Sequence, residues 1–145
     1  MAVVVLAKKK KYNPDFNACI GKHDSFGMIY GGMLKHEAFQ KMSAGLQMFY
    51  VRCRVHANDE KAKRCLYKHA AEYQREYDYK TDFVFPATHL KEYGIDRSNA
   101  SKMFRELQDR GFIVIKESNQ HCKRPNVYSF SDKWKNTSQN KTPCV

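Results

Sequence analysis

The stretch Gly94-Ile-Asp-Arg-Ser-Asn-Ala-Ser-Lys-Met-Phe-Arg-Glu-Leu-Gln-Asp-Arg-Gly-Phe-Ile113 decides the fold. Gly94 ends one helical pattern, because glycine accepts a left-handed conformation cheaply. Asp96 stands where its carboxylate can accept the free amide hydrogens of a new helix. Ala100, Met103, Phe104 and Leu107 then recur at helical spacing and face a core. The other face carries Arg97, Ser98, Asn99, Ser101, Lys102 and Arg105. These polar and cationic side chains are suited to base edges and phosphates in a major groove. Gly111 stops the helix, and Phe112-Ile-Val-Ile115 opens a strand. The pattern is a helix-turn-helix running into a β-hairpin, and its chemistry points to DNA.

On the N-terminal side of this stretch, residues 81–85 read as a strand. Pro86 suits the first position of a helix over residues 87–93, where its missing amide hydrogen costs nothing. On the C-terminal side, residues 126–130 form a strand able to pair with residues 112–116. The connection between them, residues 117–125, is a basic hairpin tip carrying His121, Lys123 and Arg124. Ser98, Asn99, Ser101 and Lys102 are the candidates for base or near-base contacts, and Arg97, Arg105, Lys123 and Arg124 for phosphates. Arg105 has a structural alternative, an ion pair with Asp109 or a bond back to Ser101. For Asn99 the alternative is a contact within the first helical turn.

Upstream, Phe26-Gly-Met-Ile-Tyr30 reads as a short strand closed by Gly31-Gly32, and residues 34–42 as a short helical turn or two. Ser43 caps a helix over residues 44–56, buried through Leu46, Met48, Phe49, Tyr50 and Cys53, with Arg52 and Arg54 on its wetter side. Asn58-Asp59 caps another helix reaching about residue 77. Ala62, Leu66, Ala70, Tyr73 and Tyr77 line one side of it, and charged residues cover the rest. At this spacing Tyr67, Tyr73, Tyr77 and Tyr79 serve packing more readily than base stacking. The chain divides into a flexible basic arm (residues 1–24, with the run Lys8 to Lys11), a domain over residues 25–134, and a polar disordered tail over residues 135–145.

The 145 residues carry 26 Lys+Arg against 15 Asp+Glu, a formal net charge of +11 that favours a polyanionic partner. Five irregularly spaced cysteines without a Cys-x-x-Cys suit a reducing compartment. The apolar start, residues 1–7, precedes its lysines, the reverse of a secretory signal, and no run reaches a membrane span. A cytoplasmic protein without membrane contact is expected. Cys53 with His56, and Cys65 with His69, share helical faces and could in principle supply a tetrahedral zinc site. The usual knuckle spacing is missing, so neither metal nor cofactor is expected. No phosphate-cradling glycine loop, carboxylate pair or nucleophile elbow appears, and the reading is of a non-enzyme.

The segment from Asp96 to Ile113 resembles the recognition helix and wing entry of winged-helix regulators of the multiple-antibiotic-resistance type. The wider pattern joins Phe26-Gly-Met-Ile-Tyr30, Ala38-Phe-Gln-Lys-Met-Ser-Ala-Gly-Leu-Gln-Met-Phe-Tyr50, Asp82-Phe-Val-Phe-Pro86, Arg110-Gly-Phe-Ile113 and Asn126-Val-Tyr-Ser-Phe-Ser-Asp-Lys-Trp134. It resembles winged-helix proteins of phages, plasmids and conjugative elements, including the N-terminal domains of replication initiators and replisome organisers. The resemblance implies an α+β winged helix-turn-helix with an N-terminal strand-helix extension, the charged helix from Asn58 being extra. It implies sequence-specific duplex DNA binding in replication initiation or as an accessory factor of a mobile element. A repressor, an origin-of-transfer accessory protein in conjugation and a protein-interaction module are the alternatives. Replication or conjugation proteins are the expected further partners. A homodimer is expected as well, because one helix-turn-helix reads only a few base pairs.

Overall fold

The computed structural model describes residue 20 and residues 24–119 and 123–140. Its organising element is α3 (Ala44–Ala57), which starts where Ser43 Oγ accepts the amide hydrogen of Leu46 at 3.2 Å. Two single-turn helices precede it, α1 (Gly31–Leu34) and α2 (Glu37–Gln40). After it come α4 (Glu60–Tyr73), β1 (Asp82–Val84), α5 (Ala87–Glu92) and α6 (Arg97–Asp109). The chain then makes β2 (Ile113–Glu117) and β3 (Val127–Phe130), and a 3-10 helix spans Lys133–Asn140. The strands form one antiparallel sheet in the order β1-β3-β2, giving an α+β arrangement.

Strand alternation assigns the two faces of the sheet to different layers. Phe83, Ile113 and Tyr128 point toward α3 and α6, where Leu46, Phe49, Tyr50, Cys53, Ala100, Phe104 and Leu107 complete the main core. Val84 and Val127 point the other way, onto Leu66 and Ala70 of α4 and onto Tyr77. Aromatic rings dominate the main core. Phe104 stacks on Tyr128 (centroids 3.8 Å, interplanar angle 9°) and meets Phe49 edge-on at 4.8 Å. Each such ring, fully buried, contributes roughly 1.5–3 kcal/mol by leaving water.

Two turns position α6. Gly94 (φ +71°) breaks the chain after α5, and the Ile95 amide bonds back to the Leu90 carbonyl at 3.0 Å. Gly111 (φ +85°) turns α6 into β2, and a Cβ there would stand 2.7 Å from the backbone nitrogen of Trp134. Trp134 covers this corner, its ring parallel to that of Phe112 (5.6 Å, 3°) and edge-on to His36 at 5.0 Å.

Several expectations need correction. Residues 26–30 form no strand. Instead the Phe26 carbonyl accepts from Asn58 Nδ2 at 2.9 Å, and Gly27 presses onto the backbone of α3 around Arg54 and Val55. No ladder partner takes up this segment, so its apolar side chains stay outside the sheet, with Met28 and Tyr30 exposed. The N-terminal extension is therefore helical turns without a strand. Pro86 occupies the cap position one residue ahead of α5. Met48 of α3 is 51% exposed. α4 stops at Tyr73 because Gln74 takes a left-handed conformation (φ 50°), and Tyr77 reaches the sheet from the following loop. Residues 135–140 of the expected tail belong to the 3-10 helix. The lysine run, most of the expected arm, His121 and residues 141–145 lie outside the described residues. Among the described residues, no helix is long and apolar enough to cross a membrane.

Candidate nucleic-acid interface

The helical period sorts α6 into two faces. Ala100, Phe104 and Leu107 are buried, Met103 packs beside them, and Arg97, Ser98, Asn99, Ser101, Lys102 and Arg105 are all exposed. Asp96 stands at the cap position, but its carboxylate takes the Ser98 hydroxyl hydrogen instead of a backbone amide. Its charge still lies at the positive end of the helix dipole, and Ser98 is tied to the first turn. Arg105 forms no ion pair with Asp109 and no bond with Ser101. The ion pair on this helix joins Arg110 to Glu106 at 3.3 Å. The Arg105 guanidinium is thus available at the surface.

The second half of the candidate interface is the β2–β3 connection, whose base is closed by asparagines. The buried Asn119 donates from Nδ2 to the Pro125 carbonyl (2.8 Å) and accepts from Arg124 Nε (3.0 Å), while its amide bonds to Asn126 Oδ1. Arg124 also lies over the ring of Tyr73, at the end of α4, at 4.1 Å. Behind this base, the Glu117 carboxylate receives the Tyr77 hydroxyl and the Arg75 guanidinium and lies 3.4 Å from His69 Nε2. Buried Asp82 pairs with Lys116 at 2.6 Å. The hairpin is thereby fastened to α4 and β1 by charge as well as by apolar packing.

Between α6, this connection and the start of α5 runs a groove of about 400 Å³. It brings together Arg97 and Ser101 from α6 with Lys123 and Arg124 from the connection, above Phe104 and Tyr128. Burial pushes the Tyr128 phenol up to about 12, so it stays a neutral hydroxyl that accepts from Asn126 Nδ2 at 3.4 Å. Ser98, Asn99, Lys102 and Arg105 lie along α6 outside this groove. Two cation sources, a helix and a loop, thus border one open channel. The chemistry of such a channel suits a polyanionic strand. The Asn119–Asn126 clamp and the Tyr73 platform escape sequence reasoning. Asparagines flanking a loop are a turn signal, but nothing local marks Tyr73.

The four candidate zinc ligands part into different layers. Cys53 is fully buried in the main core, and burial pushes its thiol well up, away from the thiolate a metal needs. His56 lies flat on Phe85 at 3.9 Å, with Nε2 at 3.2 Å from the Val84 carbonyl oxygen and 3.4 Å from His89 Nδ1. His69 faces Glu117 on the far side of the sheet, and Cys65 packs there against the second cluster. Among the described residues, no group of three or more His, Cys, Asp or Glu converges on a common point. No family model, curated protein or solved structure matches the chain.

Proposed function

We propose that the protein binds duplex DNA as a winged helix, with α6 in the major groove and the β2–β3 connection along the neighbouring backbone. The observation that carries this reading is the shared groove of Arg97, Ser101, Lys123 and Arg124, formed by two elements beside the exposed polar face of α6. The connectivity supports it: β1, α5, α6, β2 and β3 follow in that order, and the sheet order β1-β3-β2 places the hairpin beside α6. The net charge of +11 supplies long-range attraction. In this assignment Asn99, Lys102, Ser98 and Ser101 face base edges, and Arg97, Arg105, Lys123 and Arg124 face phosphates. The role follows the resemblance to initiator and organiser domains: replication initiation or an accessory function on a mobile element. Repression and origin-of-transfer binding use the same surface.

Fluorescence anisotropy on a labelled duplex, titrated across salt, tests the binding itself. Affinity falls steeply with salt, by about one unit of log-log slope per phosphate contacted. Selection from a random duplex pool then yields a preferred site. Absence of binding at low salt, or binding indifferent to salt, overturns the proposal.

A further inference from the structure

A second groove, of about 850 Å³, opens at the other end of β3, beside Phe130 rather than Tyr128. The irregular segment before α1, the end of α3, and the start of the 3-10 helix enclose it. Its apolar lining includes Met28, Tyr30, Met33, Val114, Phe130 and Trp134. Met28 and Tyr30 are 61% and 70% exposed, and large apolar side chains clustered this openly on a surface commonly mark a contact for another molecule. The charged groups on the lining are the cations Arg54, Lys80 and Lys135, against one acid, Asp132.

From this chemistry we infer that the second groove docks an acidic segment of a partner protein, one presenting a carboxylate next to an apolar anchor. Arg54 is built for the carboxylate. Its guanidinium lies over the Phe130 ring at 3.8 Å, and its Nε donates to the Tyr50 hydroxyl at 2.8 Å. The planar group is thus held in place, and no carboxylate among the described residues pairs with it. A guanidinium fixed this way offers its terminal nitrogens as a fork that fits a carboxylate with two parallel hydrogen bonds. The exposed Met28 suits an apolar anchor, because its flexible thioether moulds to varied partner side chains. A nucleic-acid strand would engage Tyr30 and the cations but leave Met28 and Val114 unmatched. This groove shares no lining residue with the channel of Arg97, Lys123 and Arg124, so the inference stands independently of the DNA reading.

The test uses the full chain and a fluorescein-labelled peptide alternating leucine with glutamate. A matched peptide with glutamine for glutamate and a labelled oligothymidylate serve as comparison probes. The acidic peptide binds, and the glutamine peptide binds about tenfold more weakly or worse. Because Arg54 packs against Tyr50, the exposed variants Met28→Asp and Lys135→Glu accompany Arg54→Gln. Each weakens the acidic peptide about tenfold, and the two exposed variants leave the melting temperature and duplex binding near wild type. Equal binding of the two peptides, or acidic-peptide affinity that Met28→Asp and Lys135→Glu leave unchanged, overturns the inference. Oligothymidylate binding that these variants abolish, with no peptide binding, overturns it in favour of a single-strand site.

Discussion

Arg124 lies on the face of Tyr73, with its guanidinium carbon 4.1 Å from the ring centre, so a cation of the basic hairpin is held by the last residue of α4. The stack and the Asn119 bond direct a long, flexible side chain along the groove wall. Tyr73→Ala removes a contact worth about 0.5–1 kcal/mol and frees Arg124 to wander. Duplex affinity then drops a few-fold, equally on preferred and random DNA, with little change in melting temperature, whereas Tyr73→Phe binds as wild type. Anisotropy titrations of both variants check this, and unchanged binding by Tyr73→Ala removes the platform from the DNA reading.

Base readout and phosphate positioning separate by specificity. Asn99→Ala and Lys102→Ala each cost about 1–3 kcal/mol on the preferred site and shrink its advantage over random duplex. Lys123→Ala and Arg97→Ala weaken both classes of DNA almost equally, because a phosphate carries no sequence information. Competition titrations with the two duplexes discriminate the groups. Identical losses on both DNAs for all four variants contradict the assignment along α6.

Phe104 joins α6 to both α3 and the sheet, edge-on to Phe49 and stacked on Tyr128. Truncating it to alanine leaves a void among rings that cannot all collapse inward. The cost is about 3–5 kcal/mol, read by urea unfolding. A midpoint that scarcely moves means α6 is seated differently on the core.

His56 makes stability depend on pH. Its burial, followed by the nearby His89, lowers its pKa to about 4 from the usual 6.5. Between those values the unfolded chain takes up a proton that the folded chain refuses, so stability falls as pH drops from about 6.5 to about 4 and then levels off. The loss attributable to this group is on the order of 3 kcal/mol. His69 is shifted the same way by burial and by Arg124 and Arg75, so it adds in the same direction. Unfolding curves at neutral and mildly acidic pH show the slope, and His56→Gln reduces it without abolishing it.

The two positive-φ glycines differ in their surroundings, and substitution exposes the difference. Around Gly94 a Cβ meets open space, so Gly94→Ala costs only the backbone strain, about 1 kcal/mol. At Gly111 the same methyl group collides with the backbone of Lys133 and Trp134, and the variant loses about 2 kcal/mol or more. Differential melting of the two variants measures the gap. Equal losses mean the 3-10 helix does not pack tightly on this corner.

Local periodicity made α6 and the β2–β3 pairing legible, because a helix or a strand with one buried face writes its period into the chain, while the Ser43 cap and a long apolar run marked α3. The outward residues of α6 were legible for the same reason. Met48 was not, since α3 is apolar on nearly every side and its pattern hides which side meets water. The end of α4 was missed because glutamine seldom adopts the left-handed conformation that Gln74 takes. Residues 26–30 have the apolar and aromatic side chains of a strand, but composition cannot tell whether a ladder partner exists. The bonds of Glu117 to Tyr77 and Arg75 span about forty residues of sequence, beyond the reach of any local signal. The channel itself depends on where the β2–β3 connection falls against α6, which only the assembled layers decide.

α4 backs the sheet on the side away from α6, and through His69 and Tyr73 it holds Glu117 and Arg124 of the hairpin. A hairpin lacking that brace would sway about its own strands. Here the sway is governed by a helix that lies outside the proposed DNA-binding surface. Mutational drift therefore has a remote steering point: substitutions on the inner side of α4 re-aim Arg124 without altering a letter of α6. If the proposed DNA binding holds, descendants of this chain can change the contour they prefer while every outward residue of α6 stays the same.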